Sequence, residues 1–201
     1  TRRFDPLAHT PEGRAALLAL GDGWMRVGAS TLARSYLRRA AGPSTDPASR
    51  AAARRLTEMA LEAENYTQGL DDLAPLVAKS ETMAEELAGE QHYLLGRRAE
   101  QNEAADEADS QYAQVSTRSR FWSSATYRRG LLAIDRGRLD HAEAHFCKVA
   151  DPHRQDGSVP VFADERFFAV RDLARLALGR VAHESLRHDD ARYYYYLVPQ
   201  D

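Results

Sequence analysis

Hydrophobic side chains recur along this chain at steps of three and four residues, with polar and charged positions between them. Two such groups are Leu17, Leu18, Trp24 and Met25, and Leu131, Leu132 and Ile134. This spacing places apolar side chains on one face of an α-helix. Alternating β-branched runs are scarce, and the best strand candidate, Ser158 to Phe162, contains Pro160, which cannot donate a ladder hydrogen bond. The pattern therefore predicts an all-α fold.

The helical pattern itself repeats with a constant internal spacing. A small residue is followed by Ala 12 positions later, by an aromatic residue four positions further on, and by a small apolar residue three positions after that. The segments that share all four slots contain Gly96, Ala108, Tyr112 and Val115; Gly130, Ala142, Phe146 and Val149; and Gly179, Ala191, Tyr195 and Val198. Two weaker segments follow the same spacing around Ala33 and Gly69, although Thr57 stands where a small residue is expected. This agreement favours repeated helix pairs over a compact bundle whose spacings coincide by accident.

Close packing explains these slots, because small residues at a helix crossing let two backbones approach and an aromatic residue fills the adjoining groove. The slots resemble the tetratricopeptide repeat (TPR), a helix-turn-helix unit with a usual period of about 34 residues. The segment 130–146 matches best, with Gly137 in the turn between its helices. The resemblance implies a right-handed α-solenoid of about five TPR-like units with a concave face lined by the first helix of each unit.

The expected organisation is a single repeat array over residues 1–201, and we expect the chain to be a fragment of a longer repeat protein. The units are placed at about 14–41, 48–79, 88–118, 122–150 and 166–199, with a long loop at 150–165 that is either functional or a tolerated insertion. Asp46 or Thr45 is expected to cap the helix that starts near Pro47. The carboxylate pairs Asp71–Asp72 and Asp189–Asp190 are expected near helix starts or turns, where negative charge favours the helix dipole.

Charge and hydropathy narrow the range of partners. The net charge is −3, but residues 58–110 carry 14 acidic and 3 basic side chains, so this block is either solvated helix surface or a field that attracts a basic partner. Nucleic acid is disfavoured because it requires a concentrated positive surface. No run approaches the roughly 18 apolar residues that a membrane span needs.

Motifs that carry catalysis are absent from the sequence. It contains no Gly-rich phosphate loop, no serine nucleophile elbow and no zinc-protease motif. His141 and His145 share a helix face, but two ligands are too few for zinc, and Cys147 is the single cysteine. We therefore expect a protein that is not an enzyme and that holds no cofactor and no metal.

The sequence thus predicts a non-catalytic scaffold that binds a protein partner in a multiprotein assembly, on the concave groove or on the long loop. The alternatives are a structural spacer within a larger repeat protein and a metal-binding or enzymatic helical protein. By the register of the resemblance, the groove would carry Asp22, Arg26 and Glu62 and, as partner-binding candidates, Arg54, Glu58, Tyr93, Arg97, Glu100, Tyr127, Leu131, Asp135, Arg180, His183 and Glu184.

The C-terminal segment suggests a further contact. Its four consecutive tyrosines, Tyr193 to Tyr196, leave Tyr193, Tyr196 and Leu197 as a surface on which further repeats or another chain would pack. The Arg- and Ala-rich composition and the closing Tyr-Tyr-Tyr-Leu-Val-Pro resemble parts of large bacterial envelope or motility-associated repeat proteins. That resemblance favours the cell envelope or periplasm over the cytoplasm.

Overall fold

A computed structural model of the chain describes residues 6–42, 44–78, 81–151 and 165–199. These residues form a short 3-10 helix, Pro6–His9, and ten α-helices, and no β-strand occurs among them. The α-helices are α1 (Pro11–Arg26), α2 (Ser30–Ala41), α3 (Pro47–Glu62), α4 (Tyr66–Val77), α5 (Glu81–Gln101), α6 (Ala105–Ala113), α7 (Trp122–Asp135), α8 (Leu139–Ala150), α9 (Glu165–Glu184) and α10 (His188–Tyr196). The all-α prediction is confirmed. The strand candidate at 158–162 and most of the loop at 150–165 lie outside the described residues.

The helices form five consecutive pairs, each joined by a turn of three residues. Such short turns make the two helices of a pair antiparallel neighbours, as in the contacts of α1 with α2, α3 with α4, α7 with α8 and α9 with α10. The third pair begins at Glu81, earlier than the expected start at 88. None of the described helices is both long and apolar enough to cross a membrane.

The chain divides into two compact units, an N-terminal unit (Thr1–Arg98) and a C-terminal unit (Ala99–Asp201). In the N-terminal unit α1 packs on α2, α2 on α3 and α3 on α4, and α1 also contacts α3. In the C-terminal unit α6 packs on α7, α7 on α8, α8 on α9 and α9 on α10, and α7 also contacts α9. The first helices α1 and α3 of the N-terminal unit are therefore neighbours, as are α7 and α9 of the C-terminal unit, which is the arrangement that a helix-pair repeat requires.

The repeated small residues lie where helices cross. The alanine-slot residues Ala33, Ala108, Ala142 and Ala191 are all buried. A Cβ atom added to Gly130 would overlap the ring of Phe146, and one added to Gly179 would overlap the ring of Tyr195. Each glycine therefore admits the large side chain that stands 16 positions later. Thr57 occupies the same slot in the second pair, fully buried, and its hydroxyl donates a hydrogen bond to the Ala53 carbonyl 3.2 Å away.

All five turns share one backbone feature. The residue five positions before each alanine-slot residue has a positive φ, and these residues are Gly28, Glu64, Glu103, Gly137 and Leu186, with φ of 75°, 50°, 58°, 68° and 60°. This left-handed conformation ends the first helix and reverses the chain. Glycine adopts it without steric cost, whereas the other three residues are strained there.

Asp46 caps α3, as the sequence predicts. Its Oδ1 accepts hydrogen bonds from the amides of Ala48 and Ser49, both at 3.0 Å, and its Oδ2 accepts from Ser44 Oγ at 2.6 Å and pairs with Arg14 Nε at 2.5 Å. Burial alone raises the pKa of Asp46, but the hydrogen bonds from Ser44, the Ser49 amide and Arg14 together lower it to about 2. One carboxylate therefore ties the start of α3 to α1.

The two acidic pairs have different positions. Asp189 and Asp190 lie in the first turn of α10, as predicted. The prediction for Asp71 and Asp72 is wrong, because both lie in the middle of α4 and not at a helix start or in a turn. Asp72 is buried and forms ion pairs with Arg34 and Arg38 of α2, at 2.7 and 3.3 Å. It joins two helices of the N-terminal unit.

Candidate functional site

The predicted groove residues of α3 lie on the surface of the N-terminal unit. Arg54 is exposed, and Glu58 is half-buried. Arg55 Nη1 pairs with Glu58 Oε2 at 2.9 Å, and its Nε pairs with Asp22 Oδ1 of α1 at 3.1 Å. These ion pairs fix the carboxylates of neighbouring first helices in place.

The two candidates on α5 within this unit are engaged with their neighbours. Tyr93 is buried, with 6% of its surface exposed. The Arg97 guanidinium lies 4.8 Å from the centre of the Tyr66 ring and donates a hydrogen bond to the hydroxyl of Tyr66 on α4. A stacked and hydrogen-bonded guanidinium holds two helices together, so Arg97 contributes to the scaffold of the unit.

In the C-terminal unit, the candidates on α7 and α9 combine aromatic, apolar and charged surface. Tyr127 is half-buried, with its ring centre 5.4 Å from that of Phe146. Burial raises the pKa of Tyr127, against the opposing effect of the nearby Arg180 and Arg128. Leu131 packs against the core of the unit. Arg180 is exposed and forms neither a hydrogen bond nor an ion pair with any described residue.

The remaining candidates of this unit are spread over its surface. Glu100 Oε2 pairs with Arg128 Nη1 at 2.6 Å. Asp135 and Glu184 are exposed, at the ends of α7 and α9. The ring of His183 lies 5.2 Å from that of His188, across the turn between α9 and α10. The structure thus brings Tyr127, Leu131 and Arg180 together on adjacent first helices, since Tyr127 and Leu131 pack on one core and the charge of Arg180 acts on Tyr127.

The tyrosine segment on α10 is partly exposed. Tyr195 packs over Gly179, as its slot predicts. Tyr196 is 88% exposed and Tyr193 51%, and the Tyr193 ring meets that of Tyr194 edge-on with their centres 5.5 Å apart. Beside them lies a pocket of about 280 Å³, with Cys147, Leu178 and Leu197 in its wall.

The histidine pair on α8 differs from a metal site in its surroundings. His141 is exposed and His145 is half-buried. Burial lowers the pKa of His145 to about 4, with help from the nearby Arg129 and Lys148, so the ring is neutral at physiological pH. Across the described ranges, no group of three or more His, Cys, Asp or Glu side chains is arranged to hold a metal ion.

A pocket of about 440 Å³ in the N-terminal unit was not predicted from the sequence. Its apolar wall includes Met25 of α1 and Leu56 and Met59 of α3. The polar wall includes Glu62 at the end of α3, Arg34 of α2, and Gln68 and Asp72 of α4. Glu62 is one of the groove positions given by the repeat register, and it alone could have directed attention to this place. The methionines gave no such signal, because methionine at helical spacing usually belongs to a core.

Comparison with known proteins supports the fold. No protein-family model and no curated protein matches the chain. Among solved structures, the chain is similar to the crystal structure of the MamA protein, with 14% sequence identity, a TM-score of 0.55, and coverage of 91% of this chain and 88% of that chain. Identity this low shows a common fold only. With the five helix pairs described above, it defines the class of the chain as an all-α, TPR-like helical repeat protein.

Proposed function

We propose that the chain is a non-catalytic scaffold of the TPR family that binds a protein partner through the exposed faces of its first helices. The observation that carries this proposal is the group formed by Tyr127, Leu131 and Arg180 on α7 and α9. Protein interfaces draw most of their affinity from a few aromatic, apolar and arginine side chains. Here a half-buried tyrosine and a leucine lie on the same pair of adjacent helices as an exposed arginine.

The electrostatics of this group suit a binding surface. Because Arg180 makes no ion pair or hydrogen bond with any residue that the structure describes, its guanidinium is available to a carboxylate or carbonyl of a partner. Tyr127 and Leu131 are held by the core beneath them, so little side-chain freedom is lost on binding. Asp135, His183 and Glu184 of the same unit are exposed and extend the proposed surface as its polar rim.

Partner capture from the source cell tests the proposal. The chain with Arg180→Glu is compared with the wild type and with a matched control, Arg192→Glu, which reverses an exposed arginine on α10. We expect a crosslinked protein, identified by mass spectrometry, that is retained by the wild type and the control and is at least about tenfold depleted by Arg180→Glu. If wild type and both variants capture the same proteins equally, this surface does not bind the partner.

A spacer without a partner of its own would give the same capture profile as an unrelated helical protein.

The cell envelope or periplasm is the proposed location, on the composition and the closing tyrosine segment alone. Fractionation of the source cells, with detection by an antibody to the chain, tests it. Recovery in the cytoplasmic fraction would contradict it.

A further inference from the structure

We propose that the 440 Å³ pocket of the N-terminal unit receives a protein segment that presents an aliphatic side chain next to a Lys or Arg. This inference rests on the proposed scaffold function, because it names the chemistry of the partner. It concerns a different unit from the group around Tyr127, so the two are tested separately.

The apolar wall of the pocket determines the preference for an aliphatic side chain. Leu56 is fully buried, and Met25 and Met59 are half-buried and pack against the core of the unit. Methionine side chains are flexible and polarizable, and surfaces that contain them adapt to aliphatic side chains of different shape. The volume lies in the range of roughly 300–1,000 Å³ typical of ligand sites. A leucine-sized side chain fits with room to spare.

The charges in the pocket wall determine the preference for a Lys or Arg beside the aliphatic side chain. The one arginine in the wall, Arg34, is already neutralised, since it pairs with Asp72 at 2.7 Å and donates a hydrogen bond to the Gln68 carbonyl at 2.8 Å. Glu62 is exposed and forms no ion pair or hydrogen bond with the described residues. Arg38, outside the pocket wall, shares Asp72 with Arg34, so the exposed charge of the wall itself is that of Glu62, and a cation beside the bound aliphatic side chain would be its counterpart.

The attraction of a cation is local to the pocket. Over residues 1–98, the N-terminal unit carries 13 basic and 13 acidic side chains, so its formal net charge is zero. The carboxylate of Glu62 therefore has to act at short range, on a cation bound beside the aliphatic side chain.

The chain offers a direct reporter of this site. Methionine occurs three times, as Met25, Met59 and Met83, and Met83 is fully buried outside the pocket. With the methionine methyl groups labelled with carbon-13, the full chain gives three signals by NMR. The probe is a short Ala- and Gln-based peptide with one Leu and one Arg a helical turn apart. We expect the Met25 and Met59 signals to shift on titration while the Met83 signal stays in place.

Two further peptides separate the contributions. Replacing the Arg by Glu, or the Leu by Ser, should abolish the shifts. Equal shifts with the acidic peptide, or no shift of Met25 and Met59 with the Leu–Arg peptide, would overturn the proposal. An equal response of Met83 would indicate a nonspecific effect on the fold and would overturn it as well.

The matched variants are Glu62→Arg and the control Glu85→Arg, which reverses an exposed glutamate on α5 away from the pocket. Arginine at the last residue of α3 is favourable to the helix dipole, so the fold is expected to persist. Glu62→Arg should weaken binding of the Leu–Arg peptide about tenfold and the control should not. Loss of pocket binding with an Arg180-dependent partner still captured would refute this inference and leave the scaffold function standing.

Discussion

The packing of α7 against α8 can be tested at a single atom. Gly130→Ala adds a methyl group where the ring of Phe146 already lies, and Phe146 is fully buried. Overpacking of a dense core costs about 1–3 kcal/mol, and the direct overlap with a ring places this case near the upper end. Replacing glycine by alanine inside a helix stabilises the folded state by about 1 kcal/mol, which offsets part of this cost. We therefore expect a net destabilisation of about 2 kcal/mol.

Gly23→Ala is the matched control, because Gly23 is exposed inside α1 and a Cβ atom there has no described atom within 4 Å. Only the higher helix propensity of alanine then acts, and this variant should be about 0.5–1 kcal/mol more stable than the wild type. Opposite signs from one chemical change would isolate the contact with Phe146.

Urea unfolding provides the measurement. The two tryptophans, Trp24 and Trp122, lie in different units, so fluorescence in a Trp24→Phe background reports on Gly130→Ala through Trp122, and fluorescence in a Trp122→Phe background reports on Gly23→Ala through Trp24. Phe146→Leu should recover at least about 1 kcal/mol when added to Gly130→Ala, as a double-mutant cycle would show. If Gly130→Ala is as stable as the wild type, close approach at this slot does not determine the packing of the pair.

Two further changes test the turns and the capping cluster. Leu186→Gly removes a side chain that is 78% exposed from a turn position with positive φ, so thermal unfolding should show a stability gain of about 0.5–1 kcal/mol, and a loss would contradict the proposed strain. Because the folded-state pKa of Asp46 is lowered from 3.8 to about 2, its contribution is present above pH 4 and lost as pH falls toward 2. The wild type should therefore lose about 2 kcal/mol more than Asp46→Asn between pH 5 and pH 2 in urea titrations, and equal losses would refute the assignment.

The helix pairs could be predicted because their packing depends on short sequence distances. A buried alanine and a large residue four positions later lie on the same helix face, and the opposing glycine lies only 16 residues before the large residue. Such a relation recurs in register and is visible in one sequence. The turns were less visible, since Gly137 carries a glycine signal, whereas Glu103 and Leu186 adopt the same positive φ without one.

The side-chain partners at the surface could not be read from the same register. The repeat register predicts which face of a helix a residue occupies. It does not predict the contacts of Arg97 with Tyr66 or of Arg34 with Asp72, because these depend on which residue the neighbouring helix has at the facing position. The same limit explains the wrong prediction for Asp72. Aspartate is common at helix starts, but Asp72 lies inside α4, where it is buried and forms ion pairs with Arg34 and Arg38. This limit also determines where function should be sought. Side chains that form ion pairs or hydrogen bonds between adjacent helices are not available to a partner. Binding therefore depends on charged side chains that form no such contact, and Glu62 in one unit and Arg180 in the other are the clearest cases among the described residues.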